Sequence, residues 1–173
     1  MGDFKRHSFV ISLPDPILKG IQNHRFVDKC TDQTPEVKQL RQVFSPQRRR
    51  FAGVVSDIAF DYFLIKHWSK FEDTLFDDFV DESYAGLLKS IHYMPDQMQR
   101  VVKLMCAHDW LRTYATLEGL DLTINQVAKR IRFKNTMTGA IDEVTANYEA
   151  FERVFLILFP QLRHQVTEAS IER

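Results

Sequence analysis

The run from about Gln47 to Trp68 constrains this chain more than any other stretch. It is long enough for a helix of several turns, and it is apolar in almost every helical direction: Ala52, Val54, Val55, Ile58, Phe60, Tyr62, Phe63, Leu64 and Ile65 cover most of its circumference. A helix without a polar face is buried on several sides, so the spacing predicts the central helix of a bundle. Asp57 and Asp61 nevertheless lie inside it, four residues apart and therefore on one side, in a stripe with Val54, Leu64 and Trp68. Two buried carboxylates repel each other unless a proton or a cation intervenes, which is the strongest physical argument for a metal in the sequence.

A second stripe points the same way. Ile17, Ile21, His24 and Asp28 follow a 4-3-4 spacing, so the face expected to meet the core begins apolar and ends in an imidazole and a carboxylate. Burying those groups unpaired costs several kcal/mol, so partners or a metal are expected.

The remaining chain reads as helix throughout. Pro14-Asp15-Pro16 offers an N-cap aspartate with proline at the first helical position, opening a helix to about Asp28. Thr34-Pro35-Glu36 repeats the device for a short helix carrying Val37, Leu40, Val43 and Phe44, and Ser45-Pro46 opens the apolar one. Further helices are predicted through Phe76 to Ile91, from Pro95 through Met105, around Trp110, from Asp121 as N-cap to about Arg132, and from Thr138 to Leu158, stopping before Pro160. Residues 1–13 are expected to be irregular and residues 161–173 a polar tail. No alternating strand pattern, repeat or linker interrupts this, so the expectation is one all-α domain of about seven helices.

Composition narrows the function classes. Lysines and arginines balance aspartates and glutamates at a formal net charge of zero, so nothing global favours a nucleic-acid partner or a membrane surface. No apolar run approaches the roughly 20 residues that span a bilayer, and no secretory leader is evident. Cys30 and Cys106 lack metal-ligand spacing and read as reduced, buried thiols. A soluble, cytoplasmic protein is expected.

Beyond these physical readings, three blocks stand out: His24-Arg25-Phe26-Val27-Asp28 followed by Thr31-Asp32-Gln33-Thr34-Pro35-Glu36-Val37; Asp57-Ile58-Ala59-Phe60-Asp61-Tyr62-Phe63-Leu64 ending in His67-Trp68; and Asn147-Tyr148-Glu149-Ala150-Phe151-Glu152 with Phe159-Pro160 beyond. Together they resemble the acyl carrier protein phosphodiesterases, also called acyl carrier protein hydrolases. That family opens with an Asn-aromatic-Leu-Ala-His run followed further on by a Gly-Asp-Phe motif. Met1-Gly2-Asp3-Phe4 is similar to the second of these, so the chain is expected to lack the opening segment. The resemblance implies an HD-like helical fold, from a divergent branch of the HD phosphohydrolases, and a metal-dependent phosphodiesterase activated by manganese, with magnesium or another divalent ion as alternatives. The implied reaction releases 4′-phosphopantetheine from holo-acyl carrier protein and leaves the apo form.

Carried over residue by residue, the resemblance implies Asp3, His24, Asp28, Asp57 and Asp61 as metal ligands, with Asp28 or Asp61 as general base. On its own, a His-Asp pair at i and i+4 is ordinarily a salt bridge, and one buried aspartate is ordinarily a helix–helix hydrogen-bonding group. His67 follows Asp57 by about 15 Å of helix axis, too far to share an ion, and reads as either a supporting group behind the ligands or a core histidine. Arg25 and Lys29 flank the expected site as candidates for the pantetheine phosphate, Arg25 with the better bidentate geometry. Arg48, Arg49 and Arg130, in basic clusters that are most often solvated helix ends, are candidates for holding an acidic carrier protein. Two other readings stand beside this one: an HD-like hydrolase of a nucleotide or other small phosphate ester, and a non-catalytic all-α interaction module.

Overall fold

The computed structural model describes residues 13–172, so Asp3 and nearly all of the expected irregular N-terminal segment lie outside the described residues. Nine α-helices and no strands form among them. They are α1 (Asp15–Gln33), α2 (Pro35–Leu40), α3 (Ala52–Lys66), α4 (Phe76–Lys89), α5 (Asp96–Ala107), α6 (Trp110–Thr113), α7 (Leu117–Arg130), α8 (Ile141–Ala146) and α9 (Tyr148–Ala169). The all-α expectation holds, with more and shorter pieces than anticipated. No helix among the described residues is long and apolar enough to cross a membrane.

Helix α3 is the centre, as its lack of a polar face requires. It packs on α9 along one side and on α7 along another, while α9 also covers α1 and α2. Val55, Ala59 and Phe63 on α3 are sealed from solvent, as are Leu120, Ile124 and Phe151. Phenylalanines fill the seam. Phe44 meets Phe151 edge-on with centroids 5.9 Å apart, Phe63 stacks on Phe155 at 6.3 Å, and Phe155 on Phe159 at 5.5 Å. Rings in these offset and edge geometries add roughly 0.5–1.5 kcal/mol each beyond their buried area. A smaller cluster, Met94, Met98 and Val102 against Leu87, Ile91 and Cys106, holds α4 and α5 together. Both cysteines are free and half-buried.

Helix boundaries depart from expectation where side chains override local signals. The residue capping α1 is Pro14, and Asp15 stands in the first turn without a capping hydrogen bond. Thr116 caps α7, its hydroxyl accepting from the Gly119 amide at 3.0 Å. Asp121 therefore sits within the helix, where it accepts from Asn125 at 2.8 Å. The helix expected over 138–158 is broken at Asn147 into α8 and α9. Pro160 does not end α9, although its ring removes one backbone hydrogen bond at a cost of roughly 3 kcal/mol. Tertiary contacts on both sides compensate: Phe159 packs on Phe71 at 4.8 Å, and Arg163 donates to the Phe71 carbonyl and pairs with Glu72 at 3.3 Å. The polar segment after Gln161 is consequently helical to Ala169.

Candidate active site

Between α1, α3 and α9 the bundle is left open as a groove of about 630 Å³. Helix α1 contributes His24, Asp28 and Asp32 to it, three side chains one turn apart on a single stripe. Helix α3 contributes Asp57 and Asp61 from the opposite wall, and α9 supplies apolar surface through Phe155 and Leu158. Both ionisable pairs expected from sequence, His24–Asp28 and Asp57–Asp61, are thus brought to one place. The expectation that they face a sealed core is corrected, because the Asp57 side chain is 61% open to solvent and His24, Asp28 and Asp61 are exposed. The apolar stripe of α1 ends at buried Ile21, and the next turns form a lip.

The electrostatics are those of acids crowded against apolar walls. Asp61 is pushed up to about 7, first by desolvation among its apolar neighbours and then by the charge of Asp57. Asp57 is pushed up to about 6 by desolvation, against a lowering pull from Arg41 and with smaller raising contributions from Asp32 and Asp28. Both side chains also reach solvent at the groove mouth, which screens these elevations. His24 Nε2 stands 3.5 Å from Asp28 Oδ2.

Two further residues, Asp32 and Arg41, join the site beyond the candidates the sequence suggests. Asp32 continues the His24–Asp28 stripe by one more turn, a spacing that could have found it. Arg41 follows α2 and carries no such signal. Its guanidinium binds Asp32 at 2.7 Å, reaches to 4.0 Å from Asp57, and lies against Gly53, where a methyl group would already touch it at 3.4 Å. Its buried Nε has no hydrogen-bond partner. Arg41 is thus the cation that links the α1 acids to the α3 acids.

The other sequence candidates fall elsewhere. His67 donates or accepts at Glu152 Oε1 at 2.7 Å, stacks on Phe155, and is only 11% exposed, so it supports the core behind the groove wall. Glu152 also binds Lys66 at 2.8 Å. Arg25 and Lys29 are exposed on α1 and do not line the groove. Arg48 clamps a loop, donating to the Thr136 and Thr138 carbonyls and pairing with Glu143 at 3.1 Å. Arg49 reaches the Phe44 carbonyl at 3.5 Å. Arg130 lies over the Trp110 ring at 5.0 Å, in a separate cavity.

A divalent ion is suited to carboxylate and imidazole donors, so the groove fits such an ion in kind. It does not fit in placement, because among the described residues no three His, Cys, Asp or Glu side chains converge as ligands of one ion.

An all-α bundle with an acid-lined groove between its first, central and last helices defines the class. Over residues 1–162 the chain matches the family model described as acyl carrier protein phosphodiesterase, and it belongs to that family. It is similar to the acyl carrier protein phosphodiesterase of Pectobacterium atrosepticum, at 29% identity over 94% of this chain and 84% of the relative. It is similarly related to those of Serratia proteamaculans and Escherichia coli, each at 27% identity over 99% of this chain and 89% of the relative. No solved structure matches this chain.

Proposed function

We propose that this chain hydrolyses the phosphodiester of holo-acyl carrier protein, releasing 4′-phosphopantetheine and leaving the carrier serine free. The observation that carries the reading is the pair Asp57–Asp61 on α3, facing His24, Asp28 and Asp32 across an open groove, in a chain of this family. A carboxylate poised near 7 is a competent general base at neutral pH, and Asp61 is the one in this groove pushed that far. Asp61 takes a proton from water as its oxygen attacks phosphorus. The bond from phosphorus to the serine oxygen breaks, and the serine is protonated in the solvent-filled groove. Desolvation among the apolar walls, with the Asp57 charge added to it, holds Asp61 at its elevated pKa, and Arg41 limits how far Asp57 itself rises.

Metal dependence, with manganese first, is proposed from the resemblance, and the test is chelation. Intact-mass measurement on holo-carrier incubated with the chain, with manganese and with chelator, reads reaction and cofactor together. Loss of the phosphopantetheine mass supports the reaction, and loss only with manganese supports the metal. A carrier whose mass never changes under either condition overturns the reading. The open groove would admit a protein-borne phosphodiester, and Arg25 and Lys29, exposed on α1 outside the groove and next in sequence to His24 and Asp28, would attract an acidic carrier.

A further inference from the structure

A second cavity, of about 510 Å³, lies between α5, α6 and α7 and adjoins the acidic groove at Val127, which lines both. Its walls are Trp110, Tyr114 and Leu122, with Thr113, Thr123 and Gln126 placing polar groups among them. A few polar groups set in an apolar wall are the usual make-up of a site for an amphipathic small ligand. Leu104 and Leu122 stand at its rim 50% and 51% exposed, large apolar side chains left in water. The cavity is also within electrostatic reach of the groove. Tyr114 is pushed up to about 12 by burial first and by the charge of Asp61 next, and is pulled back by Arg130. No residue of this cavity except Val127 takes part in the groove just described.

We infer that this cavity seats the pantetheine arm of the substrate, which enters from the groove past Val127 while its phosphodiester stays at the α3 carboxylates. The inference rests on the carrier-hydrolase reading and deepens it. The arm is long, unbranched over most of its length and punctuated by two amides, so it needs an apolar channel with a few hydroxyl and amide partners. Thr113, Thr123 and Gln126 supply those partners, and the exposed leucines are covered when the arm is in place. Arg130, held over Trp110, closes one side and belongs to this cavity rather than to a docking patch.

The chain has two tryptophans, Trp68 and Trp110, so the full chain carrying Trp68→Phe reports on the cavity through Trp110 alone. Free 4′-phosphopantetheine is titrated against it, with inorganic phosphate as control. The expected result is a saturable change in Trp110 emission with phosphopantetheine and none with phosphate. Gln126→Phe, which fills the cavity, is expected to raise the KM for holo-carrier about tenfold, with kcat within about threefold and inhibition by apo-carrier unchanged, on the scale of a blocked subsite. An unresponsive Trp110, or an unchanged KM in Gln126→Phe, overturns the inference while leaving carrier hydrolysis intact. Failure of the hydrolysis reading is seen separately, as a wild-type chain that never changes the mass of holo-carrier. A Trp110 that still responds to phosphopantetheine in such a chain would leave the cavity's ligand standing.

Discussion

Replacing Asp61 with asparagine is expected to stabilise the fold, although that side chain is the proposed base. Asp61 is lifted from 3.8 to about 7 in the folded chain. Between those values the folded state keeps a proton that the unfolded state has lost, so stability falls as pH rises from about 4 through about 7 and is flat above. Asparagine cannot ionise and escapes that loss. The full elevation converts to about 4 kcal/mol. Solvent access through the groove mouth screens the charge and leaves about 1–2 kcal/mol. For a chain of this size each kcal/mol moves the melting temperature by about 2–4 °C. Asp61→Asn is therefore expected to melt about 2–8 °C above the parent at pH 8 and level with it at pH 4. Thermal unfolding followed by circular dichroism in chelator, so that no cation offsets the charge, reads both. A variant that melts below the parent at pH 8, by as much as or more than at pH 4, would mean that the carboxylate is held by a favourable partner and would refute the argument.

Other expectations follow from the same geometry. The kcat/KM for holo-carrier should rise with pH through about 7, and Asp57→Asn should shift that limb to lower pH, because the Asp57 charge raises Asp61; a pH–rate profile with an unmoved limb would contradict the coupling. Gly119→Ala should destabilise the chain by about 3 kcal/mol in denaturant unfolding, because a β-carbon there would lie 1.7 Å from the Thr113 carbonyl oxygen. Arg48→Ala should cost about 1–2 kcal/mol by breaking the half-buried pair with Glu143 and the loop contacts, without raising the KM for the carrier; an unchanged stability with a raised KM would return Arg48 to the binding surface.

Much of the fold was legible because its strongest signals are local. Proline at the head of α1, α2 and α5 marks where helices begin, and the all-round apolarity of α3 announces a central helix. The acids of the groove were legible as spacing: residues 24 and 28, and residues 57 and 61, had to share faces once the helices formed. What spacing could not say is whether a shared face points into a core or onto a cleft, since that depends on where α9 packs. The missed features are long-range. Pro160 is tolerated because Phe71 and Glu72, distant in sequence, grip the following turns through Phe159 and Arg163. Arg48 reads as one of three arginines in a surface run, yet its partners lie in the loop before α8, far along the chain. Arg41 has no motif at all, and its place between Asp32 and Asp57 follows only from the packing of the turn after α2 against the first turn of α3. Asp121 was displaced as a cap by Thr116, whose hydroxyl serves Gly119, the one residue small enough to pass the Thr113 carbonyl.

The measurement that bears most directly on the account is the rate of 4′-phosphopantetheine release from holo-acyl carrier protein by the parent chain and by Asp61→Asn, run side by side at pH 8 after both are shown to be folded. The account predicts release by the parent and a rate at least about a hundredfold lower in the variant, the scale of a lost general base. Equal rates in the two proteins would remove Asp61, and with it the groove's central role, from the chemistry.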